Sequence, residues 1–241
     1  MSHSNALDFS FEQRPDFTWL NVSLRAGQKI LAEPSAMATM DPTVTMKAGL
    51  RGGLGKTFGR MLGGESLIMN TFAAPTAGGA VRFAPGTPGD MAHKSLDGGK
   101  FYLQRGAFVA HSEGVELSGR WQGARGFFSG QGLVLLEATG QGDLFFNAYG
   151  AILPIDVTDE LIVDTGYVVA FEDTLAYQVS VMPGLRPGAK VKSFLFGGEG
   201  LVCRFRGQGK VWVQTRDAGA FLRWTYPFRP VRSKNVSLGD S

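Results

Sequence analysis

The sequence predicts an all-β fold built from three related units, and three observations carry that prediction. Glycine supplies 34 of 241 residues with no three-residue period, and 44% of the chain is hydrophobic at a net charge of only +3. Such a chain is globular and rich in tight turns, neither collagen-like nor disordered. Short apolar runs bounded by turn residues recur about every 8–12 residues, with almost no helical periodicity, the pattern of a sandwich or barrel. Finally, the sequence repeats itself at fixed offsets, which in a β-rich chain means repeated structural units.

The first repeated element is Gly63-Gly64-Glu65-Ser66-Leu67-Ile68, matched by Ser129-Gly130-Gln131-Gly132-Leu133-Val134 and by Gly197-Gly198-Glu199-Gly200-Leu201-Val202, at offsets of 66 and 68 residues. The second and third copies stay in register through Gly140-Gln141-Gly142-Asp143-Leu144-Phe145 and Gly207-Gln208-Gly209-Lys210-Val211-Trp212, where the first carries an insertion around Ala77–Val81. Each copy reads as apolar strand, glycine turn, apolar strand, a hairpin whose glycines take positive φ. The second element is a glycine between two β-rich runs at one spacing: Leu24-x-x-Gly27-x-x-Ile30, Leu103-x-x-Gly106-x-x-Val109 and Val163-x-x-Gly166-x-x-Val169. Units of this size are marginal alone, so three of them are expected to bury one another's edges as one pseudo-threefold domain. The expected division is a lead-in over 1–19, repeats near 20–84, 85–150 and 151–216, and a basic aromatic tail over 217–241.

The stretch Val22-Ser23-Leu24-Arg25-Ala26-Gly27-Gln28-Lys29-Ile30-Leu31-Ala32-Glu33-Pro34-Ser35-Ala36-Met37, with Gly63-Gly64-Glu65-Ser66-Leu67-Ile68-Met69-Asn70-Thr71-Phe72, resembles the mitochondrial-biogenesis (altered inheritance of mitochondria) family in its bacterial branch. The resemblance spans about residues 20–216. It implies three copies of the fold of the tryptophan RNA-binding attenuation protein, a β-sandwich of double-stranded β-helix type. It brings no catalytic residue, no cofactor and no agreed activity.

The residues supply little catalytic chemistry. Gly49-Leu50-Arg51-Gly52-Gly53-Leu54-Gly55-Lys56-Thr57 imitates a phosphate-binding loop but has Leu50 where that motif needs glycine, and Gly63-Gly64 ends any helix soon after. Histidines are three. His3 lies at the terminus and His93 beside the loop-like stretch Pro85–Asp90, while His111 aligns with Phe171 as a packing residue. A histidine-rich metal site needs two or three on neighbouring strands. Glu65, Gln131 and Glu199 read as solvated turn positions, and Asp159, Glu160, Glu172 and Asp173 as exposed loop acids. Cys203, the single cysteine, excludes an internal disulfide framework. It shares a strand face with Leu201 and Phe205, opposite Arg204 and Arg206, and so reads as a core thiol. The expectation is a protein that is not an enzyme, with no cofactor and no metal. The first residues have no basic region followed by an apolar run, and no stretch approaches the ~20 apolar residues of a spanning helix. A reducing compartment, most simply a bacterial cytoplasm, is expected.

Interaction is the better-supported theme. Leu50, Leu54, Phe58 and Leu62 recur every four residues among Arg51, Lys56 and Arg60, as in a short basic amphipathic helix that packs on its own body, on a partner or on a membrane. Residues 121–175 carry one basic and eight acidic side chains, net −7, and residues 186–234 eleven basic and two acidic, net +9. The basic tail interleaves aromatics, Phe221, Trp224 and Phe228 among them, and the preferred reading packs it on its own body. The sequence therefore points to a non-enzymatic scaffold that forms a homo-oligomer or meets a protein or membrane surface. The candidate interface is Leu50, Leu54, Phe58, Leu62, Phe221, Trp224 and Phe228. The alternative is a module that binds a small ligand or RNA, through base stacking on the tail.

Overall fold

A computed structural model describes residues 6–50, 68–120, 135–182 and 200–230. The fold is all-β: eighteen strands are described, nearly all short and all in antiparallel ladders, with three 3₁₀ turns and one short α-helix near the C-terminus. In chain order the first block holds β1 (Asp8–Glu12), β2 (Trp19–Leu24), β3 (Lys29–Ala32), β4 (Met37–Met40), β5 (Thr45–Leu50), β6 (Ile68–Ala73) and β7 (Gly79–Phe83). The second holds β8 (Met91–Asp97), β9 (Phe101–Gln104), β10 (Phe108–Ser112), β11 (Val115–Arg120) and β12 (Leu135–Asn147). The third holds β13 (Ile152–Val157), β14 (Glu160–Asp164), β15 (Val168–Glu172), β16 (Leu175–Val181), β17 (Leu201–Gly207) and β18 (Gly209–Gln214), followed by α1 (Ala218–Thr225).

The glycine element conserves its place in the fold. Gly106 and Gly166 sit in the 3₁₀ turns Arg105–Ala107 and Thr165–Tyr167, and Gly27 in the turn from β2 to β3. The other glycine motif requires a correction. Gly140-Gln141-Gly142 and Gly207-Gln208-Gly209 are corners where one path of chain changes sheet, not hairpin turns. Residues 135–140 of β12 pair with β11 and 135–138 also with β9, whereas residues 141–147 pair with β8 and 144–146 with β10. In the third block β17 pairs with β14 and β16, and β18 with β13 and β15. The positive φ expected of these glycines is present at Gly140, Gly142 and Gly207. It is used to bend a strand, since the pieces on either side face different partners. Gly63, Gly64, Glu65, Gln131 and Glu199 lie outside the described residues.

Three apolar clusters fill the interior, and each borrows from its neighbour. The first joins Leu20, Ile30, Phe72 and Phe83 to Val109, Ala110 and Phe145 of the second block. The second joins Phe101, Leu103, Phe108 and Phe146 to Leu31 of the first block and Val169 of the third. The third joins Phe171, Cys203, Phe205 and Val211 to Tyr102 and Leu135. Ladders cross the same boundaries, β3 to β10 and β9 to β15. Residues 8–12, within the expected lead-in, form β1 on the edge of the sheet β1-β2-β7-β4.

Candidate interaction surface

The C-terminal helix is rooted by polar contacts and then leaves the body. Thr215 and Arg216 donate backbone N–H bonds to Ala151 and Tyr149. The Gln214 side chain accepts from the Tyr149 N–H at 2.9 Å and donates to the Gly166 carbonyl at 2.7 Å. Asp217 then caps the helix, accepting from the N–H groups of Gly219 at 3.0 Å and Ala220 at 2.9 Å. The ring of Phe221 meets Tyr149 edge-on at 5.8 Å. Beyond that contact no residue of α1 is buried.

At helical spacing Phe221, Leu222, Trp224 and Thr225 share one side, with Gly219 and Arg223 opposite. The apolar side, which an ordinary surface helix turns inward, is the side left open. Leu222 is 60% exposed, Trp224 65%, Tyr226 58% and Phe228 74%. Phe221, Trp224 and Phe228 run as a contiguous aromatic row, with ring centres 6.0 and 5.6 Å apart, and the Arg229 guanidinium lies 3.7 Å over the Tyr226 ring. Over residues 218–230 the sequence-based reading that this tail packs on its own body is therefore corrected, and residues 231–241 lie outside the described residues.

The other half of the candidate interface divides. Leu50 closes β5, its backbone paired with Ile68, so the four-residue spacing does not begin in a helix. Thr45 to Gly49 are exposed, in a strand whose described pairing is along one edge only. Leu54, Phe58 and Leu62 lie outside the described residues.

Part of the charge separated along the sequence meets in space among the described residues. Glu160 of the acidic stretch ion-pairs with Arg204, and with Arg206 at 2.9 Å; Asp156 meets Lys210 at 3.2 Å. Glu172 holds Lys94 at 2.9 Å and accepts the Lys210 N–H at 3.0 Å, so it is half-buried and tied rather than a loop acid. Glu160 likewise opens a strand, and its bond from Arg206, with the charges of Arg204 and Arg206, holds its carboxyl below the usual range.

Ionisable groups elsewhere serve the fold. His93 lies on β8, not in a loop, with Nε2 2.8 Å from Asp143 and its ring beside Phe9 and Phe145. Asp143 also accepts the Leu7 N–H at 2.7 Å. Burial pushes that carboxyl up, and the bonds from His93 and Leu7 overcome it, leaving it below the ordinary value. His111 is buried against Phe108 as a packing residue. Cys203 is a core thiol, pushed by burial to about 12. Sequence reasoning missed Glu33, whose carboxyl burial raises to about 7, and the Arg14–Asp90 pair at 2.8 Å, to which Thr18 adds its hydroxyl at 2.9 Å. Alternation flags a strand face, but the depth of one acid at a strand end depends on the packing of distant blocks. Among the described residues no three His, Cys, Asp or Glu side chains converge as metal ligands, and no helix is long and apolar enough to cross a membrane.

Fold and surface together define an antiparallel β body of interlocked blocks that carries an outward-facing amphipathic helix. Within that class the chain belongs to the mitochondrial biogenesis AIM24 family, whose profile matches residues 9–216. It is similar to an uncharacterised protein of Streptococcus pyogenes serotype M6, 27% identical over 239 residues, covering 95% of this chain and 94% of that one. The crystal structure of a Streptococcus pyogenes protein superposes with a TM-score of 0.74 at 26% identity, covering 92% of this chain and all of the other.

Proposed function

We propose that this chain is a non-enzymatic scaffold that self-associates through its β body and presents the C-terminal helix to a further partner. The observation that carries this reading is α1, an amphipathic helix whose apolar side is open to solvent. Apolar side chains are also open beside the outer edges of β5 and β16, which have no second partner strand among the described residues, namely Met46, Ile68, Val179, Val181 and Met182. Free strand edges with apolar neighbours are templates for association. The body is read as three copies of one double-stranded β-helix unit. The second and third blocks support this, each running strand, 3₁₀ turn, two strands and a cornered path in the same order.

Mass measured by light scattering at micromolar concentration tests the reading. The expected result is a defined homo-oligomer whose mass falls on Met46→Lys with Val181→Lys, which place charge beside the outer edges of β5 and β16. High salt should change it little, because Asp156, Glu160 and Glu172 are already paired within the chain. A monomeric protein, or one that retains a small ligand or RNA on purification as a monomer, overturns it in favour of a binding module.

A further inference from the structure

We propose that α1 and the turn after it dock on an anionic lipid surface, and this inference rests on the scaffold reading above, naming the partner of its open helix. Two features select that partner. The first is charge. Residues 218–239 hold Arg223, Arg229, Arg232 and Lys234 and no acidic side chain. Asp217, which caps the helix, stands 3.7 Å from Arg223 and is the acid at its root. Three acids of the −7 stretch, Glu160, Asp156 and Glu172, are engaged with Arg204, Arg206, Lys210 and Lys94 within the chain, which weakens the pull of that stretch on the tail of a second copy. A dense negative surface such as an anionic bilayer supplies the charge that complements this tail.

The second feature is the shape and size of the apolar side. Phe221, Leu222, Trp224, Tyr226 and Phe228 together expose roughly 600 Å². A standard protein–protein contact takes about 600–1,000 Å² from each partner, so the tail alone reaches only the lower end of that range. It suits a helix lying in a lipid interface, where Trp and Tyr favour the headgroup level and Arg reaches the phosphates. Nucleic acid fits less well. The three rings of the row already contact one another, leaving no slot for a base between them, and Leu222 offers no stacking face. A helix of eight residues binds weakly, and the self-association of the body multiplies it, since linked weak anchors gain avidity.

The test is sedimentation of the full-length protein with vesicles of phosphatidylcholine, with and without 30% phosphatidylglycerol. Binding is expected to the anionic vesicles alone, and to weaken with salt. Arg229→Gln should reduce it about fivefold, as expected for one cation at a lipid surface, and Trp224→Ser with Phe228→Ser at least tenfold. Light scattering of the same variants should show the mass of the unmodified protein, which separates the two proposals. Binding to the anionic vesicles by an unmodified protein that scatters as a monomer sinks the scaffold reading and leaves the lipid site. Equal binding to both vesicles, no binding, an unaffected double variant, or stronger binding to a single-stranded oligonucleotide overturns the lipid site.

Discussion

Asp143 shows how one buried side chain can fasten distant segments. Its two oxygens hold Leu7 and His93, and its own N–H donates to Ser112 at 2.9 Å, so a single carboxylate ties the first strand to the second block. Because its folded pKa is depressed, its contribution is complete above the ordinary carboxylate value and is lost as pH falls through the lowered one. Asp143→Asn should cost about 1–3 kcal/mol at pH 7, with a deficit that narrows on acidification, as measured by urea unfolding. Glu33 works in the opposite sense. Its carboxyl is raised to about 7, so deprotonation penalises the folded state progressively between the ordinary value and about pH 7 and fully above it. Glu33→Gln should leave stability unchanged near pH 4 and raise it at pH 8 by ~1 kcal/mol, a figure reduced for the group's remaining access to water.

At the scale of elements, the two kinds of repeated glycine separate by what surrounds them. A Cβ on Gly140 would overlap the Gly114 carbonyl oxygen, at a φ of +98°. Gly106 has no atom within 4 Å of that position and no positive φ. Gly140→Ala should therefore cost several kcal/mol, ~3 or more, and Gly106→Ala should change the melting temperature within error. Similar glycine spacing in the sequence thus conceals different demands. The sequence made the strands, the positive-φ glycines, the burial of Cys203 and the packing role of His111 legible, because alternation and residue type report on local environment. It did not reveal that the Gly140–Gly142 and Gly207–Gly209 segments are corners, since a hairpin turn and a sheet-changing bend use the same residues. Nor did it reveal that Asp156 and Glu160 pair with Lys210, Arg204 and Arg206, because that depends on strand register. Glu160 meets Arg204 and Arg206 only because β14 runs against β17.

For the molecule as a whole, the division is between a body whose parts share cores and an appendage that shares none. Among the described residues the tail adds the cap at Asp217 and one ring contact with the body, Phe221 on Tyr149, and buries no residue of its helix. Deleting residues 217–241 should therefore leave the thermal midpoint within about 2 °C while removing the aromatic row. Circular dichroism melts of the two chains check this directly. A drop of ten degrees would mean that the helix belongs to the body after all. The family profile ends at residue 216, one position before the cap, so the boundary drawn by packing and the boundary drawn by sequence likeness coincide.

The sharing of cores between blocks also governs how the chain can be made. Strand β3 closes against β10, whose residues 110–112 lie roughly 80 positions further along, and the first cluster needs Phe145 as well. At about 5–20 residues per second, a ribosome takes several seconds to deliver those partners. During that interval the first block has emerged with an unfilled interior and a bare strand edge, the condition that recruits holding chaperones or invites aggregation. Ribosome-stalled chains ending near residue 100 should be digested throughout by a dilute protease. Chains long enough to expose residue 216 beyond the exit tunnel should resist along the whole body at once.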